Sequence, residues 1–374
     1  MVELVDTQDL KSCGHCGRAG STPAPGTVRF KPYSYMIDLR SDTVTRPCKA
    51  MLKAMVEAEV GDDVFGQDPT VNKLEQLVAD RFGMESGLFC ASGTMANQIA
   101  VMTHTRPGDE VICERSSHLY YYEQAGMARN SGVSANTIQG ERGVFTACQV
   151  ESLLRPEDVH FPTTSVVVAE NTSNRGGGKI FPLGALTDIS ELTKERGLRF
   201  HLDGARLFNA IVADNTEPKT YGNLLDSISI CLSKGLGCPV GTVLIGSKEF
   251  IDMARRNRKV LGGGMRQAGY LAAAGIYALN NNVDRLSKDH ERTLRISKAL
   301  HKCEIVKAVL NPETNILVFE LNEEVNTEDV LSKLAEFGIQ CFAVGEKSIR
   351  LVFHLDISEE HVDTVESAIL QMTY

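Results

Sequence analysis

The sequence predicts an α/β protein, with a large domain on a mainly parallel sheet and a small C-terminal α+β domain. Three observations predict it. From Met36 onward, short apolar runs alternate with longer stretches of helical periodicity. The runs are rich in β-branched residues, as in strands covered on both faces. After Met265 the texture changes to a long helical stretch followed by strands and helices in separate blocks. Strands alternating with helices build a parallel sheet, whereas segregated elements build an α+β unit.

The expected strands of the large domain are Gly87–Cys90, Glu110–Cys113, Ser165–Ala169, Arg199–Leu202, Ser227–Leu232 and Val240–Ile245. Between them, Pro69–Phe82, Met95–Thr103 and Leu183–Arg196 carry apolar residues at helical spacing. The long stretch from about Gln267 to Cys303 reads as helical. Beyond it, Asn315–Leu321 and Ser348–Phe353 read as strands, and Thr327–Phe337 and Ser358–Met372 as helices opened by Thr and Ser N-caps.

Composition narrows the function classes. The 374 residues are 43% hydrophobic and 23% charged, enough for a sizeable core. A formal net charge of -9 argues against nucleic acid and anionic membranes as partners. No apolar run approaches the roughly 20 residues of a transmembrane helix. The N-terminus lacks the layout of a signal peptide. Ten cysteines lie mostly in apolar segments, which suits reduced thiols in the cytoplasm.

Residues 1–35 differ from the rest and read as a non-native or disordered extension. Cys13-Gly14-His15-Cys16 is half a zinc site with no second pair, so no metal is expected. Gln8–Cys13 back-translates to a run whose flanks pair around a loop, like an anticodon stem. Gly20-Ser21-Thr22-Pro23 fits the T-arm of a transfer RNA. The hypothesis is that residues 1 to about 27 are a translated transfer-RNA gene included by a mis-called start, with Met36 the true start. Codons in the gene that cannot form the stem would refute it.

The chemistry lies in His201-Leu202-Asp203-Gly204-Ala205-Arg206 and Leu232-Ser233-Lys234-Gly235. Asp203 ends one apolar run and Lys234 follows the next. A pyridoxal phosphate (PLP) enzyme needs this pair: a Lys to hold the aldehyde, and an Asp to keep the pyridine nitrogen protonated. Each residue alone has a plain alternative, a strand-end helix cap or a surface lysine. Ser92-Gly93-Thr94 follows a strand and opens a helix, where free N–H groups attract a phosphate, although the turn also reads as an ordinary cap. His118 sits among Tyr120, Tyr121 and Tyr122, either stacking on a ring or serving as a structural aromatic neighbour. His160 carries a weaker signal of the same kind. Gly262-Gly263-Gly264-Met265-Arg266 joins a glycine turn, read as a close approach or a mobile loop, to an arginine that could meet phosphate in its own or a neighbouring subunit. Arg350 interrupts an apolar strand and needs an anion, either a substrate carboxylate or a protein one.

With these segments in hand, the chain resembles a low-specificity L-threonine aldolase of the fold-type I (aspartate-aminotransferase-like) PLP enzymes, in the β-eliminating lyase and threonine aldolase family. The resemblance rests on Ile37–Pro47, Gly61-Asp62-Asp63-Val64-Phe65-Gly66, Ser92-Gly93-Thr94, His118, His201–Arg206, Ser233–Gly237 and Gly262–Gln267. It implies a seven-stranded large-domain sheet and an expected division into a 36–48 arm, a 49–282 PLP-binding domain and a 283–374 small domain. It implies that Lys234 carries the cofactor and that Asp203 faces its ring nitrogen. Gly93, Thr94, Arg206, Ser233 and Arg266 join the cofactor contacts, and His118 stacks on the ring. Ser41, Arg206 and Arg350 hold the substrate carboxylate, and Lys259 and His160 lie near the substrate. It further implies a small amino-acid substrate and a homotetramer, a dimer of dimers with active sites at the dimer interface.

The implied reaction cleaves L-threonine and L-allo-threonine to glycine and acetaldehyde, with His118, His160 or a held water as base. Two residues depart from the family's pattern. Phe65 stands where a tyrosine is common, and Ser173 stands where Glu-Asn-Thr-His-Asn has its histidine. The alternatives are a β-eliminating lyase or aminotransferase on the same fold, and a non-catalytic protein of that fold. The last should have lost Lys234 or Asp203, and both are present.

Overall fold

The computed structural model describes residues 36–372, so the readings of Cys13–Cys16 and of the segment before Met36 lie outside the described residues. The first strand, β1 (Ile37–Asp38), runs parallel to a late one, β11 (Ile339–Gln340). The central sheet holds seven strands. They are β2 (Ser86–Cys90), β3 (Glu110–Glu114), β4 (Ser134–Ile138), β5 (Thr164–Glu170), β6 (Arg199–Gly204), β7 (Ser227–Cys231) and β8 (Thr242–Gly246). Their spatial order is β2-β8-β7-β6-β5-β3-β4. Neighbours from β7 through β4 pair in parallel, while β8 runs antiparallel to both β7 and β2. This is the α/β architecture expected from the apolar runs.

Register then decides where chemistry collects. Because β8 reverses between β7 and β2, the carboxyl ends of β2, β7, β6, β5 and β3 share one edge of the sheet. Cys90 and Cys231 both pair with Thr242, and Glu170 pairs with Asp203. Helices follow the strands and cover both faces. Pro69–Phe82 illustrates the local logic. Asp68 accepts from the N–H groups of Thr70 and Val71, Pro69 opens the first turn, and Gly83 closes it at φ 68. Val71, Leu74, Val78 and Phe82 then bury one stripe against the sheet's core.

A second sheet, antiparallel and four-stranded, holds β9 (Val306–Val309), β10 (Ile316–Leu321), β12 (Phe342–Ala343) and β13 (Ser348–Val352) in the order β12-β13-β10-β9. It has its own apolar core, which also draws on Ile37 and Leu39 from the chain's start.

The structure refines three of the readings. The helical stretch 267–303 divides into two helices, Gly269–Asn281 and Leu286–Leu300. Asn280, Asn281 and Asn282 form helix poorly, and the Asn282 side chain instead donates to the Leu236 carbonyl at 2.8 Å. The cap of helix Thr327–Glu336 is Asn326, not Thr327. Strand β4 went unforeseen because it is an edge strand, Ser-Ala-Asn-Thr-Ile, with only Ile138 buried.

Candidate active site

The site gathers at the shared carboxyl edge, where ligands of open α/β sheets bind. Asp203 is buried at the end of β6. Its Oδ2 accepts from Asn97 Nδ2 at 2.8 Å and its Oδ1 from the Ala205 N–H at 3.1 Å. The Asn97 amide is itself oriented, because its Oδ1 accepts from Ser229 Oγ at 2.8 Å. Its amino group must therefore face the carboxylates. His201 packs beneath, with Nδ1 2.8 Å from Ser227 Oγ. Burial pushes the His201 imidazole down to about 4, so it is neutral.

Lys234 lies three residues past β7, half-buried, beside Arg206 and Cys231. Its carbonyl is held by Thr45 Oγ1 at 2.9 Å and by the Gly237 N–H at 2.8 Å. Among the described residues its amine makes no hydrogen bond and no salt bridge within 4.0 Å, although its charge helps hold the Asp42 carboxyl down. Ser233, next to it, has its hydroxyl 3.6 Å from Cys231 Sγ.

Helix Gly93–His104 points its amino end at the same edge. Ser92 Oγ accepts from the Met95 N–H, leaving the N–H groups of Gly93 and Thr94 without a partner among the described residues. Thr242 Oγ1 is buried without a hydrogen bond, and a Cβ on Gly93 would come within 3.8 Å of it. The glycine turn 262–264 closes this corner, since a Cβ on Gly263 would meet Met95 Sδ at 2.5 Å. Arg266 and Lys259 flank the turn and are exposed. Arg266 pairs with Asp62 at 2.9 Å.

His118 opens a short turn after β3. Its Nδ1 lies 3.0 Å from Glu123 Oε1, and its backbone N–H donates to Glu170 at 2.7 Å. Glu170 is buried and also accepts from the Asn174 N–H at 2.8 Å, so it ties the His118 turn to the loop after β5. Burial pushes its carboxyl up, and the Asp203 charge adds to that. One donor atom each from His118, Glu123 and Asp203 falls within 4.8 Å of the others, the only such group among the described residues. The Asn97 amide already bridges Glu123 and Asp203.

Arg206 is not a free cation. Its Nε and Nη2 donate to both oxygens of Asp42 at 2.8 and 2.6 Å, and both side chains are buried. Burial works against the Asp42 charge, but the Arg206 guanidinium overcomes it and holds the carboxyl at about 2. Arg350 is different. It donates to Asn174 Oδ1 at 3.0 Å and to the Arg40 carbonyl at 3.1 Å, and its buried Nε has no partner. No carboxylate among the described residues lies within 4.0 Å of it. Ser41 sits between Arg40 and Asp42, so Ser41, Arg206 and Arg350 meet around one segment.

His160 is the sequence candidate that one chain does not bring in. It is exposed, pairs with Asp158 at 2.5 Å and precedes the amino end of β5, whereas Glu170 ends that strand at the site. The seven-residue strand separates them by about 20 Å. A concavity of about 1450 Å³ lies at that same far end and is lined by Asp109, Arg199 and Asp226, while the slot beside Lys234 is about 10 Å³. The orphaned donors, not the larger volume, mark the site.

Sequence reading missed Asp42, Asn97, Glu123, Glu170 and Thr242. Asp42 and Glu170 sat inside quoted motifs, next to residues that drew attention. Asn97 lay four residues past Gly93, on the helix face that turns inward. Nothing in the sequence marked Glu123 or Thr242.

The model of the beta-eliminating lyase family matches residues 38–324. The chain is 43% identical to a low specificity L-threonine aldolase of Escherichia coli (strain K12), over 88% of this chain and 97% of that one. The chain belongs to this family. An Arabidopsis thaliana relative, a probable low-specificity L-threonine aldolase 2, is 41% identical over 92% of this chain and 97% of its own length. The fold matches the solved structure of a Leishmania major threonine aldolase with a TM-score of 0.78, at 22% identity, covering 89% of this chain and 98% of that one. For a member of this family, the departure at Ser173 is a buried one. Its Oγ accepts from the Gly176 N–H at 3.1 Å. Phe65 is exposed, with Arg266 6.0 Å from its ring centroid.

Proposed function

We propose that this chain is a PLP-dependent lyase that cleaves L-threonine and L-allo-threonine to glycine and acetaldehyde. The observation that carries the reading is the Lys234 amine, without a hydrogen bond among the described residues, on the same sheet edge as the buried Asp203 carboxylate. The residues present fit the cofactor. The open N–H groups of Gly93 and Thr94, with the orphaned Thr242 hydroxyl, form a cradle for a phosphate dianion at a helix amino end. Lys234 would carry the aldehyde carbon, Asp203 would face the ring nitrogen, and His118 would flank the ring. Ser233, Arg206 and Arg266 would complete the contacts. The bound cofactor supplies an electron sink for the pair left on Cα when the Cα–Cβ bond breaks.

The chain's own residues do the rest. Arg350 needs an anion, and a substrate carboxylate satisfies its stranded N–H. Arg206 keeps its charge balanced by Asp42 and lends position rather than free charge. Ser41 offers a hydroxyl to the same group. Fixing the carboxylate turns the scissile bond toward the electron sink, which lowers the entropic part of the barrier. His118 leaves Nε2 for a reacting proton, passed directly or through one bound water. Lys259 and His160 would have to reach the substrate from outside this arrangement, His160 from a neighbouring subunit.

The reading includes a homotetramer with sites at subunit interfaces, supported by Phe65, Tyr120, Tyr121 and Tyr122, which stay exposed beside the site. It also includes a cytoplasmic location, supported by cysteines that are all free among the described residues. The division into a 36–48 arm, a 49–282 large domain and a 283–374 small domain is supported by the two separate cores.

The test is direct. Protein starting at Met36 is purified with PLP, and L-threonine and L-allo-threonine are each added while acetaldehyde is coupled to an alcohol dehydrogenase. A yellow protein releasing aldehyde from both isomers supports the reading, and Lys234→Ala should be colourless and inactive. A yellow wild-type protein that forms a keto acid and no aldehyde would move the reaction to an aminotransferase. One that never turns yellow would end the PLP reading.

A further inference from the structure

We propose that Glu123 is the positioning residue of this site: it grips Nδ1 of His118, reserves Nε2 for the reacting proton, and joins His118 to Asp203 through the Asn97 amide. The proposal rests on the PLP lyase reading for its consequence, but not for its geometry. The Glu123 side chain is fully buried, and a buried carboxylate is costly unless every lone pair is used. Here Oε1 accepts from Asn97 Nδ2 at 3.1 Å, and Oε2 accepts from Gln98 Nε2 at 2.7 Å. Gln98 is oriented in turn, since its Oε1 accepts from Asn130 Nδ2 at 3.2 Å. Among the described residues, Glu123's one ionisable partner is His118, at 3.0 Å.

Two consequences follow. First, the carboxylate fixes the ring's tautomer. Nδ1 must carry the proton that faces Glu123, so the neutral ring presents Nε2 as an acceptor. Nε2 has no partner among the described residues, and the ring is about one-third exposed. A carboxylate behind an imidazole orients it in the same way in hydrolytic triads. Second, the ring's proton affinity is set by charge as well as contact. The hydrogen bond to Glu123 lifts the imidazole above its usual range against the effect of burial, and the charges of Asp203 and Glu170 add to it. The ring of Tyr122, its centroid 5.5 Å away, is the other titratable neighbour.

Asn97 makes the arrangement a single unit. One amino group donates to both Glu123 and Asp203, and the amide cannot flip without breaking its Ser229 bond. Ring-stacking histidine and nitrogen-facing aspartate are thereby held at a fixed mutual position. This is a role for Glu123 acting through other residues, with no contact to substrate required.

The experiment follows His118 itself. Protein labelled with ¹⁵N-histidine is titrated by NMR, with and without added PLP, and the signal is assigned from a His118→Gln sample. Glu123→Gln keeps the shape and removes the charge, so the His118 midpoint should fall by about one pH unit or more. Glu123→Asp should restore at least half of that shift. The acid limb of kcat/KM for L-threonine should move down in pH with the same order of variants. KM should change less than kcat, because the substrate's carboxylate site is untouched. A His118 midpoint unchanged in both variants would overturn the proposal. If the wild-type protein failed to bind PLP, the function reading would fall, while the titration would still decide the role of Glu123.

Discussion

Asp42 and Arg350 differ in a way that decides their roles. Asp42 and Arg206 form a buried bidentate pair, and removing one partner of such a pair strands a charge. Asp42→Asn should lower stability by about 3–5 kcal/mol, read as a fall in the urea midpoint. The pair also sets an acid limit. The folded carboxyl is held at about 2, below its unfolded value of 3.8. Its contribution is therefore complete above pH 4 and is lost as pH falls toward 2. Acid unfolding followed by circular dichroism should show that loss, and Asp42→Asn should shrink it. Arg350 has no carboxylate partner among the described residues, so Arg350→Gln should leave stability near that of the wild type. It should lower kcat/KM for threonine roughly 100-fold, the loss of a charge-assisted pair worth about 3 kcal/mol. Equal losses of stability and of kcat/KM would assign Arg350 to the fold instead.

At the scale of the element, helix Gly93–His104 works at both ends. Its amino end offers open N–H groups at the site. Its last residue, His104, is half-buried on the far side, stacked on Phe250 at 4.4 Å with Nε2 2.7 Å from Ser227 Oγ. Burial pushes that imidazole down to about 3. The folded ring stays neutral while the unfolded one gains a proton below about 6.5. Stability is thus full above pH 6.5 and declines as pH falls toward 3, by about 1.4 kcal/mol per pH unit for such a group. His201, held at about 4, acts in the same direction. Urea midpoints at pH 7 and pH 5 should therefore differ. His104→Phe keeps the stacking surface, and Ser227 keeps its contact with His201. The variant should reduce that difference, and an unchanged one would assign the acid sensitivity to other groups.

Across the whole molecule, the two cores are joined by polar clamps near the site. Glu313 accepts from Lys179 Nζ at 2.7 Å and from the Ile180 N–H at 3.0 Å, linking the loop after β5 to the segment before β10. Asn315 donates to Asp42 at 3.3 Å and to the Phe353 carbonyl at 3.0 Å. Arg350 thus reaches the site on a strand whose lobe is anchored there. The exposed aromatic side chains around the site belong to the same scale. Light scattering on the purified protein should give about four times the chain mass, in line with the proposed tetramer. A monomer active at every dilution would remove the proposed interface sites and leave His160 without a role.

The sequence by itself determined the α/β class, the alternation of strands and helices, and the Asp203 and Lys234 pair. These are local signals: apolar periodicity, capping residues such as Asp68 and Ser92, and residue types that end strands. It also carried Arg350, because an arginine in an apolar strand needs an anion wherever that strand lies. Tertiary structure alone decided who satisfies whom. Asp42 and Arg206 are 164 positions apart, and only folding makes them partners. Glu123 meets Asn97 and Asp203 because β3 and β6 end, and the helix after β2 begins, on one sheet edge. His160 falls at the opposite edge of the same sheet for the same reason: it precedes a strand rather than following one. Local sequence specifies an element, whereas a charge takes its partner from the register that brings elements together.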